Sequence, residues 1–240
     1  MRSNLMAHTS HLALRSAAGI VAIAGSALLF STGAQAACAV AGVIVQCDDT
    51  STTNTTFTTN PPNDRDYQRA AGVPVELKVD PGTTVDGFGL SVFSSGPGGV
   101  TVTNGGTISV DAGNTPTAGG TAALNVTAGA GGPIVYTGGS IINNGAGNAF
   151  DINQNGAGTT TVTVTGNITA AAGSGIVVRD TAASGNTSVT TGAVTALTAG
   201  KDAISIISQS TEANVTVVAN GDVKAGNAGI VAAIIPGGSL

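Results

Sequence analysis

The sequence predicts an all-β chain folded as a right-handed parallel β-helix, a solenoid of about six coils behind a disulfide-clipped N-terminal cap. Three observations lead there. An apolar strand beside Gly or Ala recurs at Leu90, Leu124, Phe150, Ile176, Ile204 and Ile230, at spacings of 34, 26, 26, 28 and 26 residues. A Gly two residues before an aliphatic recurs inside each block, at Gly106/Ile108, Gly139/Ile141, Gly166/Ile168, Gly192/Val194 and Gly221/Val223. Val/Thr strands such as Val100-Thr101-Val102, Val162-Thr163-Val164 and Val215-Thr216-Val217 lie between these anchors. One such block cannot bury its apolar face alone, but coils stacked about 4.8 Å apart bury a continuous column. Each block should hold three short strands, with Leu, Ile, Val and Phe inward and Thr, Ser, Asn and Asp outward. Gly and Asn between the strands should supply positive φ at the corners. With 42% hydrophobic and 9% charged residues, the composition argues against a disordered Gly/Thr tail. Glycine every few residues argues against helices.

Residues 1–36 read as a signal peptide. Arg2 and Arg15 mark a positive n-region, and Ala17 to Phe30 is apolar apart from Gly and one Ser. Fourteen residues are too few for a permanent span, which needs about 20. Ala34-Gln35-Ala36 is an A-x-A site, so cleavage falls between Ala36 and Ala37. An uncleaved anchor and lipid attachment at Cys38 are the alternatives. Gln35 stands where a lipid-attachment site wants an aliphatic residue.

Residues 37–80 read as the cap. Cys38 and Cys47 are the only cysteines, and in an exported chain they pair. Val40, Val43 and Val45 between them suggest a hairpin or first coil clipped shut. Asp48 to Asn63 reads as a polar surface loop, and Val73 to Val79 as an amphipathic strand ending at the Asp80-Pro81-Gly82 turn. A polar segment of this kind would blunt the exposed edge of the stack.

Residues 81–240 read as the repeats. The surplus in the 34-residue spacing is placed in a loop around Asn114-Thr115-Pro116-Thr117. No closing cap is evident after Pro236-Gly237-Gly238-Ser239-Leu240, so the chain is expected to be cut before its natural end. An uncapped end could also self-associate.

An A-x-A signal, an early Cys pair, a polar cap and Gly/Thr/Asn-rich coils together resemble the passenger part of bacterial autotransporters. The nearest likeness is to large adhesin-like proteins, with repeats of the form Gly175-Ile176-Val177-Val178 followed by Thr191-Gly192-Ala193-Val194. The resemblance implies a cell-surface or secreted passenger, exported through the inner membrane and attached to the outer membrane only through a C-terminal β-barrel. Barrel strands with aromatic girdles are not found in this sequence.

The chemistry looked for is sparse. Both histidines, His8 and His11, lie within 1–36, so the mature chain offers no Ser-His-Asp or Cys-His arrangement. Gly173-Ser174-Gly175 lacks the nucleophile-elbow frame. Removing 1–36 leaves 6 Lys+Arg against 13 Asp+Glu, a net charge of −7, which argues against nucleic acid. No cofactor loop, metal site or tandem Ca²⁺ repeat is predicted. The Gly145 to Asp151 stretch has only a faint likeness to the last. Asp151, Asp180 and Asp202 fall at different offsets from the opening aliphatic, so they read as solvated turn positions rather than the paired carboxylates of a polysaccharide lyase or hydrolase. The expected function is non-enzymatic: an adhesive or structural stalk for an unidentified surface ligand, a host or matrix protein or a polysaccharide. The alternatives are a β-helical polysaccharide enzyme and a self-associating matrix protein.

Overall fold

A computed structural model describes residues 37–48, 66–69, 73–87, 89–113, 122–180, 185–210 and 213–235. These belong to one compact unit, Gly33–Leu240. Residues 1–36, expected to be a signal peptide ending at Ala36, most of 48–63 and the Asn114 to Thr117 stretch, both expected as loops, and the residues after Ile235 lie outside the described residues.

The chain is an all-β parallel solenoid. It opens on an antiparallel hairpin, β1 (Ala37–Ala41) and β2 (Ile44–Asp48), turned at Gly42 with φ 63°. Then come β3 (Asp66–Arg69), β4 (Val75–Val79) and β5 (Thr84–Val85). Two coils follow, β6 (Leu90–Ser94) with β7 (Val100–Val110), and β8 (Ala122–Ala128) with β9 (Ile134–Asn143). The next coil is β10 (Asn148–Gln154), β11 (Thr160–Val164) and β12 (Ile168–Ala170). After it come β13 (Ile176–Asp180), β14 (Thr187–Thr191) and β15 (Val194–Ala196). The last are β16 (Ile204–Ser208), β17 (Val215–Ala219), β18 (Val223–Ala225) and β19 (Ile230–Ile234).

The opening strands stack into one sheet, ordered β19-β16-β13-β10-β8-β6-β3. The second and third strands of each coil form the other sheet, in which β7 and β9 run both positions together. The six opening apolar residues of the repeat share one in-register column, from Leu90 to Ile230. They bound five full turns rather than six, because a turn is the interval between two opening strands; the solenoid makes about five turns. The stack also reaches into the segment read as a cap: β3 pairs with β6 and β4 with β7, both parallel and in register, and β5, in the segment read as repeats, likewise pairs with β7. Among the described strands only the hairpin is antiparallel, and β2 docks it on β4.

The 34-residue spacing resolves into two parts. Twelve residue steps separate Val110 from Ala122, where five separate their partners Asn143 and Asn148. The remaining extra residue is the bulge between Asn104 and Thr107.

Inward columns form one core. One column runs Val75, Val100, Ile134, Thr160, Thr187, Val215, and the next Leu77, Val102, Tyr136, Val162, Val189, Val217. Tyr136 is an inward residue that the apolar pattern did not include. It is fully buried, and its ring tilts against Phe150 at a centroid distance of 4.8 Å.

At the corners the expectation of positive φ holds for glycine, at Gly82, Gly99, Gly131, Gly147 and Gly200 among others, and fails for Asn. No described non-Gly residue has positive φ, so Asn does not bend the chain that way. Instead its amide satisfies corner backbone groups that would otherwise be buried unpaired. Asn143 accepts from Gly145 N–H at 2.9 Å and donates to Ala146 O at 2.9 Å and Asn148 O at 2.6 Å. Asn104 accepts from Gly106 N–H at 3.1 Å and donates to the Tyr136 hydroxyl at 3.0 Å. The anchor glycines Gly106, Gly139, Gly166, Gly192 and Gly221 do not have positive φ either. They stand one above another, and a Cβ on any of them would strike the preceding coil.

Candidate functional site

Cys38 and Cys47 face each other directly across the hairpin and form a disulfide. Both are fully buried, and no described cysteine is free. The bond closes the first layer on which β4 rests. Of the two residues expected to flank a cleavage site, Ala37 opens β1, while Ala36 lies outside the described residues.

Alternation along the opening strands turns every second side chain away from the core. On β6, β8, β10 and β13 this builds two outer columns. Ser91, Asn125 and Asp151 stack in one. Phe93, Thr127, Asn153 and Arg179 stack in the other. Hydrogen bonds run within and between them. Asn153 Nδ2 donates to Asn125 Oδ1 at 3.2 Å and to Thr127 Oγ1 at 3.5 Å. Asn125 Nδ2 donates to Ser91 Oγ at 3.5 Å. Asn148 Nδ2 donates to Asp151 Oδ1 at 2.7 Å, and Arg179 Nη1 lies 3.9 Å from the same oxygen. Asp151 is buried, whereas the Arg179 side chain is 39% exposed. A sealed carboxylate thus holds an open guanidinium on a face of amides and hydroxyls. This polar constellation offers many hydrogen bonds with one cation.

The carboxylates do not read as the sequence suggested. Asp151 and Asp180 are not solvated turn residues, since both are buried. Asp180 turns inward at the end of β13, in line with Ser94, Ala128, Gln154 and Ser208. The Ser208 hydroxyl donates to it at 3.2 Å. Asp151 and Asp180 therefore occupy opposite faces of one sheet and cannot flank one glycosidic bond. Asp202 sits elsewhere, bound by Asn227 Nδ2 at 2.8 Å and by Ala228 N–H at 3.2 Å. Ser174, of the Gly173-Ser174-Gly175 stretch, serves the backbone: its hydroxyl accepts from Asp202 N–H at 3.3 Å. Among the described residues, no three His, Cys, Asp or Glu side chains gather in a way that could hold a metal.

One shifted titration marks the interior. Burial pushes the Tyr136 hydroxyl well above the ordinary tyrosine range, and the hydrogen bond from Asn104 partly opposes it. Tyr136 also donates to Gly139 O at 3.1 Å, so it ties two coil corners rather than serving chemistry.

The sequence reading put a Thr/Ser/Asn flank outward but did not single out the residues that compose it, although their signal was present. Registering the repeats on the opening aliphatic puts Asn125 and Asp151 at one offset and Thr127, Asn153 and Arg179 at another. No protein family, no curated protein and no solved structure matches the chain.

Proposed function

We propose that the chain is a non-enzymatic passenger segment of the autotransporter type, exported and displayed at the cell surface or secreted, where it acts as an adhesive stalk. The observation that carries this reading is the outer face of Asn125, Thr127, Asn153 and Arg179, laid across successive coils. Coils about 4.8 Å apart repeat donors and acceptors along the stalk. Such a surface gains avidity from many weak contacts rather than from one pocket. The ligand is a host or matrix protein or a polysaccharide. The Cys38–Cys47 disulfide suits an oxidising compartment.

The experiment is adhesion of the purified chain to arrayed matrix proteins and glycans. It is compared with a triple variant, Asn125→Ala, Asn153→Ala and Arg179→Ala. All three positions are on the outer face, so the core columns stay intact. Binding that falls at least tenfold in the triple variant, with the melting temperature kept within a few degrees, supports the reading. No binding by the parent chain, or equal binding by both, sinks it.

A further inference from the structure

The larger sheet turns its own face outward, and that face is unlike the one built by the opening strands. Alternation along β7, β9, β11, β14 and β17 places two columns of side chains away from the core. One holds Thr103, Thr137, Thr163 and Thr190 in register, and the other runs from Thr101 through Thr161 to Thr216. Val135, Ser188 and Val218 take the remaining places, and none of these side chains is buried. The register shift in β7, between Asn104 and Thr107, lies beyond the array. An ordinary solvated sheet face mixes charges. One rung earlier β4 does so in these same columns, with Glu76 beside Thr101 and Lys78 beside Thr103, the two paired at 3.1 Å. From β7 to β17 the columns carry no charge, no aromatic ring and no amide.

Neighbouring rungs stand about 4.8 Å apart, and the two columns are two residues, about 6.6 Å, apart along each strand. Oxygens recur at comparable spacings on the faces of hexagonal ice. A threonine hydroxyl offers one donor and two acceptor lone pairs to a lattice of water. Its methyl group offers none, so the waters around it bond to one another. β-branching restricts χ1 and keeps the array in one geometry. A charged side chain would instead hold a hydration shell that is costly to strip. We propose that this threonine face binds ice, its ligand being the surface of crystalline water. Each contact is weak, but the rungs engage together, so the bound face holds by avidity and blocks growth of the crystal beneath it. A polysaccharide would call for amides, charge and an aromatic ring, and those lie on the other sheet, at Asn153, Arg179 and Phe93. The proposal goes beyond adhesion and stands whatever that other face binds.

Thermal hysteresis of the purified chain, the gap between the melting and freezing temperatures of a seed crystal, tests it. The expected result is a gap that widens with protein concentration, together with enrichment of the protein in the ice of a slowly frozen solution. Thr163→Lys puts a cation on the middle rung of the array. It should reduce the gap to less than half while the melting temperature of the protein stays unchanged. Should that variant not fold, Thr137→Lys on the adjoining rung decides. Thr195→Lys is the control, because its column of Thr169, Thr195 and Lys224 runs along β12, β15 and β18, outside the array, and already carries a cation. It should freeze as the parent does. No gap in the parent chain, a gap that survives both array variants, or an equal loss in Thr195→Lys would each overturn the proposal. So would retention on crystalline cellulose or chitin without any gap in ice.

Discussion

Two threonines in the core provide the sharpest test of how the solenoid is held together. Thr160 and Thr187 stack on each other between Ile134 and Val215. Both are 1% exposed, and neither Oγ1 has a hydrogen-bond partner. An unpaired buried hydroxyl costs about 1–3 kcal/mol. Valine keeps the β-branched shape and the strand preference while replacing the hydroxyl with a methyl group. Thr160→Val and Thr187→Val should therefore each stabilise the chain by about 1 kcal/mol, the low end of that range. For a domain of this size that is a rise of about 2–4 °C in melting temperature. The two positions touch, so the double variant should depart measurably from the sum. Thr187→Ser is the control: it keeps the orphan hydroxyl and removes a buried methyl, at a cost of about 0.5–1.5 kcal/mol. Urea midpoints at constant slope report these differences. If both valine variants lost stability, the hydroxyls would have partners and the reading of this column would be wrong.

The glycine column makes a graded prediction. A Cβ on Gly192 would come 2.8 Å from Gly166 O, and one on Gly139 would press harder against Gly106 O. Gly139→Ala should thus lower the urea midpoint more than Gly192→Ala, each by about 1–3 kcal/mol of overpacking; the reverse order would deny that close approach sets the spacing. Replacing Cys38 and Cys47 together by alanine should cost about 2–3 kcal/mol in the chain-entropy model, read as a lower melting temperature for the variant than for the oxidised parent. Tyr136 predicts an alkaline limit. Its folded pKa is raised, so its stabilisation is complete below the unfolded pKa of about 10 and is lost as pH rises from there towards the folded value. Tyr136→Phe should flatten that fall in a series of urea midpoints; an unchanged slope would place the loss elsewhere.

The fold was legible because it rests on period and alternation. Leu90, Leu124, Phe150, Ile176, Ile204 and Ile230 fell into one column because a solenoid turns equal sequence spacing into vertical neighbours. The 28-residue block keeps Ile176 opposite Ile204 for the same reason. The cap boundary was less legible. Val75, Leu77 and Val79 alternate like any amphipathic strand, and nothing local says whether such a strand covers a stack or belongs to it. Pairing with β2 on one side and β7 on the other decides that, and pairing is a non-local property.

The particular residues of the outer face and the burial of the acids were missed for one shared reason. Hydropathy assigns a residue to a side by its type, while a strand assigns it by parity. Asp151 and Asp180 are three residues apart within coils of equal register, so they must point to opposite faces. A polarity argument sends both outward. Parity sends Asp180 inward, where the Ser208 hydroxyl meets its carboxylate. It sends Asp151 outward, where Asn148 and Arg179 lie against it. The same rule makes Arg179 a neighbour of Asn153 rather than of Asp180, its next residue in sequence. A cation one position along β13, at Val178 or Asp180, would have faced the interior instead, and the polar face would have lost the charge that reaches solvent. The adhesive reading therefore depends on parity at Arg179 as much as on its charge.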